Sequence, residues 1–237
     1  KSKLADYVIN RKSVIDLLEK ALEWDSTGKY SRENIVHDLI MPRGKTSDTE
    51  NPDTINLWLI DEKLTFHNYL ASDKTIKSNP LIDSECTKQP DILALKGFDI
   101  PILISETNQF PLPSITIIEI KRPQRNDYNE GEDRDPIEQA LEYIEKIREG
   151  RSKTDVGRPI PSSEAIPGFC YIVADLTPTL RKRCKIHALQ MTSDELGYFG
   201  YQPQYKTYIE VYSFDRLVKE AKERNRAFFD KLGLPCS

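Results

Sequence analysis

The sequence predicts an α/β fold: a central mixed β-sheet flanked by helices, with a helical extension at the N-terminus. Three observations predict it. Apolar residues recur at helical spacing in the first third of the chain. Runs of β-branched residues, flanked by prolines, occupy the middle. From there to the end, strand-like and helix-like segments alternate.

The elements follow in order. Leu4, Val8, Val14, Leu17, Leu18 and Leu22 line one side of one or two helices over residues 4–24. Ser31 followed by Glu33 opens a second helix, which Pro42 stops, and residues 44–53 are polar and turn-rich. Leu57, Ile60, Leu64 and Leu70 give a partial stripe that predicts a third helix over 56–71. Residues 89–95 and 114–123 read as strands joined by a long hairpin or loop. The second is apolar from Ile115 to Ile118, as in a strand buried on both faces. An acidic turn-like segment precedes Pro136, which starts a helix that Gly150 ends. A polar surface loop is expected over 151–167, a buried strand over 168–176 and a helix from near Pro178. A hairpin over 197–214 and an amphipathic helix over 214–232 close the chain. This divides the chain into a helical region, 1–75, packed on a core, 76–237.

Composition narrows the function classes. A hydrophobic fraction of 38% with 30% charged residues fits a folded domain and is too apolar for a disordered chain. No apolar run approaches the roughly 20 residues that span a bilayer, and the first residues have no signal-peptide pattern, so a cytoplasmic protein without a membrane partner is expected. The net charge of -4 means that any basic face for nucleic acid is local. Cys86, Cys170, Cys184 and Cys236 form no CxxC and no zinc-finger spacing, which predicts reduced thiols. Neither a phosphate-binding GxxxxGK[ST] loop nor a Gly-rich nucleotide loop is present.

Two strands carry the unusual residues. Asp91 follows Pro90 where the first strand begins, and Glu119-Ile120-Lys121 ends the second. Side chains alternate along a strand, so Glu119 and Lys121 share a face. A charged pair at the end of a buried apolar strand is costly without partners, and Asp91 supplies one. Two carboxylates and a lysine at one sheet end suit a hard divalent cation such as Mg²⁺ or Mn²⁺. On the following helix Gln139 and Tyr143 are four residues apart and share a face. Basic residues flank the site: Lys121 and Arg122 with Arg125, and the run Arg181, Lys182, Arg183 and Lys185. These are candidate phosphate contacts, or an ordinary solvated face. Tyr198, Phe199, Tyr201, Tyr205, Tyr208 and Tyr212 are either cross-strand packing or a base-stacking surface. Among His37, His67 and His187, His67 is the nearest to the site by sequence, and none is assigned as a ligand.

Pro90-Asp91, then Glu119-x-Lys121 at the end of an apolar strand, then a helix, resembles the PD-(D/E)XK phosphodiesterases over roughly residues 85–176. The Gln139/Tyr143 pair is similar to the QxxxY element of the RecB-type exonuclease branch. The resemblance implies a restriction-endonuclease-like core and a Mg²⁺- or Mn²⁺-dependent nuclease acting on DNA, with RNA not distinguished. It implies that Asp91 and Glu119 bind the metal, that Lys121 serves the nucleophile, and that Gln139 and Tyr143 help position the strand. That superfamily often adds an acidic residue from the first core helix. Glu62 is the first candidate for it and Glu33 the second. Further segments, 66–74, 90–95, 118–123, 198–201 and 208–217, resemble a bacterial nuclease-like domain found C-terminal to GHKL-type ATPases in anti-phage or DNA-processing proteins. That resemblance implies a covalently linked ATPase, in keeping with a first residue, Lys1, that is not Met. An inactive nuclease-fold module for nucleic-acid binding or assembly is the alternative, and the helical N-terminal region is a candidate for homodimerisation.

Overall fold

A computed structural model describes residues 2–23, 33–67, 69–96, 114–130, 135–152 and 166–234. Helices α1 (Ser2–Leu22) and α2 (Glu33–Ile40) come first, then strands β1 (Tyr69–Ser72), β2 (Ile82–Asp83), β3 (Ile92–Lys96) and β4 (Ser114–Ile120). Helix α3 (Pro136–Glu149), β5 (Arg151–Ser152), β6 (Gly168–Val173) and α4 (Pro178–Ile186) follow. β7 (Gln190–Met191), β8 (Gly197–Gln202), β9 (Thr207–Tyr212) and α5 (Phe214–Leu232) complete the order. Among the described residues, seven strands form one sheet in the order β1-β3-β4-β6-β9-β8-β7, and β2 pairs with β5 separately. The sheet is mixed: β4, β6 and β9 run parallel and the other pairs are antiparallel. Helices cover both faces, as the sequence predicts for an α/β domain. Among the described residues no helix is long and apolar enough to cross a membrane.

Alternation along β4 divides the interior. Ile118 and Ile120 pack with residues of α1, α2 and α5, while Ile115 and Ile117 pack with α3 and α4. Glu119 lies in the same alternating set as Ile115 and Ile117, so its side chain leaves the sheet on the α3 side. That is why α3, rather than α1 or α5, can complete a site at the end of β4. Asp135 caps α3 by accepting from Ile137 N at 2.9 Å, and Pro136 takes the first helical position. The approach of α3 to the sheet is close at Gly168, where a Cβ would meet Ile144 Cδ1 at 2.7 Å.

Four expectations require correction. Residues 56–71 are not a helix. They form short 3₁₀ turns at Leu57–Leu59 and Glu62–Thr65, then strand β1. Leu57, Trp58, Leu59 and Ile60 are all buried, a continuous apolar run rather than a stripe, and Asp61 caps the second turn through Lys63 N. Segment 1–75 therefore contributes a strand to the sheet as well as helices. Leu4 and Leu17 face outward from α1, whereas Val8, Val14, Ile15 and Leu18 face the core. Within the expected 151–167 loop, Arg151 and Ser152 pair with β2, and residues 153–165 lie outside the described residues. So do most of the connection between β3 and β4 and also Cys236.

Candidate active site

The strand register builds the site. Ser72 is opposite Ile92, and Ile92 is opposite Ile118, so Asp91 and Glu119 meet where β3 begins and β4 ends. Asp91 N donates to Glu119 Oε1 at 3.2 Å, and Ile120 N donates to Asp91 Oδ2 at 2.7 Å. Glu119 is 0% exposed and Lys121 6%. The Lys121 ammonium donates to Glu119 Oε2 at 2.6 Å and to Gln139 Oε1 at 3.0 Å. Gln139 Nε2 donates in turn to the Tyr143 hydroxyl at 2.8 Å, and that hydroxyl donates to Gln89 O at 3.2 Å. One chain of hydrogen bonds thus runs from the end of β4 through α3 to the residue before Pro90.

Glu33, in the first turn of α2, closes the opposite side by accepting from Arg122 N at 3.0 Å. Burial pushes the Glu33 carboxyl up, and the charge of Asp91 pushes it further. Burial also raises Glu119, with Asp91 adding to it and Lys121 opposing it. Burial alone would lower Lys121, but the charges of Glu119, Asp91 and Glu33 outweigh it and keep the ammonium charged. The charge of Asp91 raises both Glu33 and Glu119, so negative charge gathers at this sheet end, although the three carboxylates do not have ligand oxygens all within 4.8 Å of one another.

The first candidate for the helical acid, Glu62, is not there. It sits on a 3₁₀ turn and forms a two-pronged pair with Arg11, at 2.6 and 3.0 Å. Glu33, the second candidate, is the carboxylate that reaches the site. The basic candidates divide. The Arg122 side chain and Lys182 are exposed. Arg125 pairs with Asp127 at 2.7 Å and lies over the Tyr128 ring, and Arg181 Nε donates to Leu176 O. The loop bearing Arg122 and Arg125 is fastened to the turn after β6: Asp175 Oδ2 accepts from Gln124 N at 2.7 Å, and Thr177 Oγ1 donates to Arg125 O. Arg183 is buried against Asp135 and Glu138, so it leaves the exposed basic run. The hairpin aromatics pair across strands, with Tyr201 opposite Tyr208 and ring centroids 4.7 Å apart.

Four residues beside the site, Asn34, His37, Arg43 and Asp73, were not candidates from the sequence. Glu33, Asn34, His37, Arg43, Asp73 and Asp91 line a pocket of about 290 Å³. His37 is one helical turn after Glu33, buried, with Nε2 2.9 Å from Ser72 Oγ. Its i,i+4 spacing from Glu33 was the available signal. His67, the histidine nearest by sequence, lies instead against Leu64 O.

No family model, curated protein or solved structure matches this chain. The site therefore stands on its own geometry. Among the described residues, the one group of three potential ligand atoms within 4.8 Å of one another is Asp135, Glu138 and His187. There the Arg183 guanidinium already binds both carboxylates, and His187 Nε2 is 2.8 Å from Asp135 Oδ2. The cation that balances this cluster is an arginine.

Proposed function

We propose that this chain is a metal-dependent phosphodiesterase of the PD-(D/E)XK kind, with a restriction-endonuclease-like core, that hydrolyses DNA. The observation that carries the reading is Lys121, held between Glu119 and Gln139 beside Asp91 at the end of the central strand. A chance strand-end ion pair would not need Gln139 and Tyr143 in one hydrogen-bonded line with it. Glu33, Asp91 and Glu119 would hold Mg²⁺ or Mn²⁺, which supplies Lewis-acid polarisation of a phosphoryl oxygen and acidification of a water. Lys121 orients the attacking water and stabilises the charge that develops as it reaches phosphorus. Gln139 and Tyr143 fix where that ammonium points. Water oxygen adds to phosphorus and gives up a proton to solvent, the P–O bond to the leaving sugar breaks, and the sugar oxygen takes up a proton from solvent to leave as a hydroxyl. The test is Mg²⁺- or Mn²⁺-dependent cleavage by the wild type and its loss in Asp91→Ala and Lys121→Ala proteins that retain the fold.

A second reading, a nuclease-fold module that binds nucleic acid or assembles without catalysis, is favoured by one observation. Both Glu119 oxygens already accept donors, from Asp91 N and Lys121 Nζ. Calorimetric titration with Mg²⁺ separates the two: binding lost in Asp91→Ala supports the enzyme, and no binding supports the module.

A further inference from the structure

The chain before β1 extends the site sideways. Gly44 N donates to Ser72 O, Ser72 N to Lys45 O, and Ser47 N to Leu70 O, all at 2.9–3.0 Å, with a bridge between Thr46 and Ala71. Residues 44–47 therefore run along the outer side of β1, and Arg43 stands at the sheet end beside Asp73. The strand register continues that row to Asp91 and then to Glu119 and Lys121. On the far side Glu119 is opposite Ile172 of β6, and the loop after β4 carries Gln124, hydrogen-bonded to Asp175 after β6. From the 44–47 segment to β6 is four strand spacings, about 19 Å. Arg43 is thus on one side of the carboxylates, and Arg125 and Arg181 are on the other.

Arg43 is the permanent cation among the described residues lining the pocket, and the other charged groups there are Glu33, Asp73 and Asp91. Its Nε and Nη2 donate to the two Asp38 oxygens at 3.0 and 3.3 Å. That fork orients the guanidinium plane at the surface, and Nη1 has no partner among the described residues. Planar, pre-oriented guanidinium is the side chain best matched to phosphate oxygens.

We propose that Arg43 binds a backbone phosphate of the nucleic acid on the β1 side of the scissile position, so that the strand crosses the sheet end from Arg43 towards Arg125 and Arg181. This rests on the nuclease reading and adds a substrate contact to it. A phosphate contact positions the strand without reading its sequence.

The test is a scan of single-stranded DNA oligonucleotides, each with one neutral methylphosphonate linkage. Binding is read by fluorescence anisotropy with Ca²⁺, which takes carboxylate oxygens with looser geometry than Mg²⁺, and cleavage is read separately with Mg²⁺. Arg43→Ala is expected to weaken binding about tenfold. It should also lower the slope of log affinity against log salt by about 1. One neutral linkage should weaken wild-type binding to the same degree and cost Arg43→Ala nothing further. Arg43→Lys should recover part of the loss. A purely structural role would add its loss to that of every linkage, and this result, or no loss at all, overturns the proposal. If Arg43→Ala and one linkage are non-additive but the wild type cleaves nothing, the Arg43 contact stands and the nuclease reading falls. If the wild type neither binds nor cleaves these oligonucleotides, the Arg43 proposal falls, and the nuclease reading falls with it only if linear and circular DNA are also left uncut.

Discussion

Gln139 Oε1 accepts from Lys121 Nζ at 3.0 Å, which ties the first half of α3 to the end of the central strand. A hydrogen bond to a buried ammonium is worth about 1.5–3 kcal/mol. Gln139→Ala should therefore lower the cleavage rate by about tenfold to a hundredfold, mainly in kcat, because the ammonium loses its direction rather than its charge. Tyr143→Phe removes the hydroxyl that orients the Gln139 amide and should have a smaller effect of the same kind. Steady-state kinetics check the order, and a Tyr143→Phe rate below that of Gln139→Ala would break the proposed chain of contacts.

Glu33 and Glu62 should behave oppositely. Glu33→Gln is expected to weaken Mg²⁺ binding and cleavage together, since Glu33 lies by Asp91 in the pocket. Glu62→Gln should leave both intact. It loosens a partly exposed pair with Arg11 and should cost no more than about 1 kcal/mol of stability. Metal titration and urea denaturation of the two variants supply the comparison.

Stabilisation by metal should depend on pH with a defined sign. Burial raises the Glu119 carboxyl to about 7, with Asp91 adding to burial and Lys121 opposing it. A carboxyl with a raised folded-state pKa holds its proton more tightly when folded. The metal-free protein therefore loses stability as pH rises from the ordinary carboxylate range through about 7. Metal binds the deprotonated form, so the increase in Tm on adding Mg²⁺ should be large at pH 8 and small at pH 5.5. Equal increases at the two pH values would argue against Glu119 as a ligand.

Asp135 should be among the most costly single changes outside the site. It is fully buried, caps α3 and binds both Arg183 and His187. Burial pushes its carboxyl up, but hydrogen bonds from His187, Arg183 and Ile137 N prevail and hold it low. Its stabilisation is therefore present above the ordinary carboxylate pKa and is lost as pH falls below it. Asp135→Ala leaves the buried Arg183 without that partner and should cost about 3–5 kcal/mol in urea denaturation at pH 7.

The layered fold was legible because its signals are local. Ile115–Ile118, the capped helix from Pro136 and the hairpin around Tyr201 and Tyr208 each show in a short window. The pairing of Glu119 with Lys121 follows from strand alternation alone, and that of Gln139 with Tyr143 from helical spacing. Strand β1 was not legible. Tyr69–Ser72 is only four residues long, all buried, with no β-branched residue, and its pairing with β3 sets it. The same long-range pairing brings Asp73 and Arg43 to the site, and the packing of α2 brings Glu33 and His37. Sequence distance hid them: Glu33 meets Arg122 across 89 positions.

The most direct measurement of the central claim is cleavage of linear, circular and single-stranded DNA with Mg²⁺ or Mn²⁺, wild type beside Lys121→Ala. Wild type should cleave at least one of these only when metal is present, and a folded Lys121→Ala protein should not. Cleavage by Lys121→Ala at the wild-type rate, or no cleavage of any substrate by wild type with either metal, would contradict that claim.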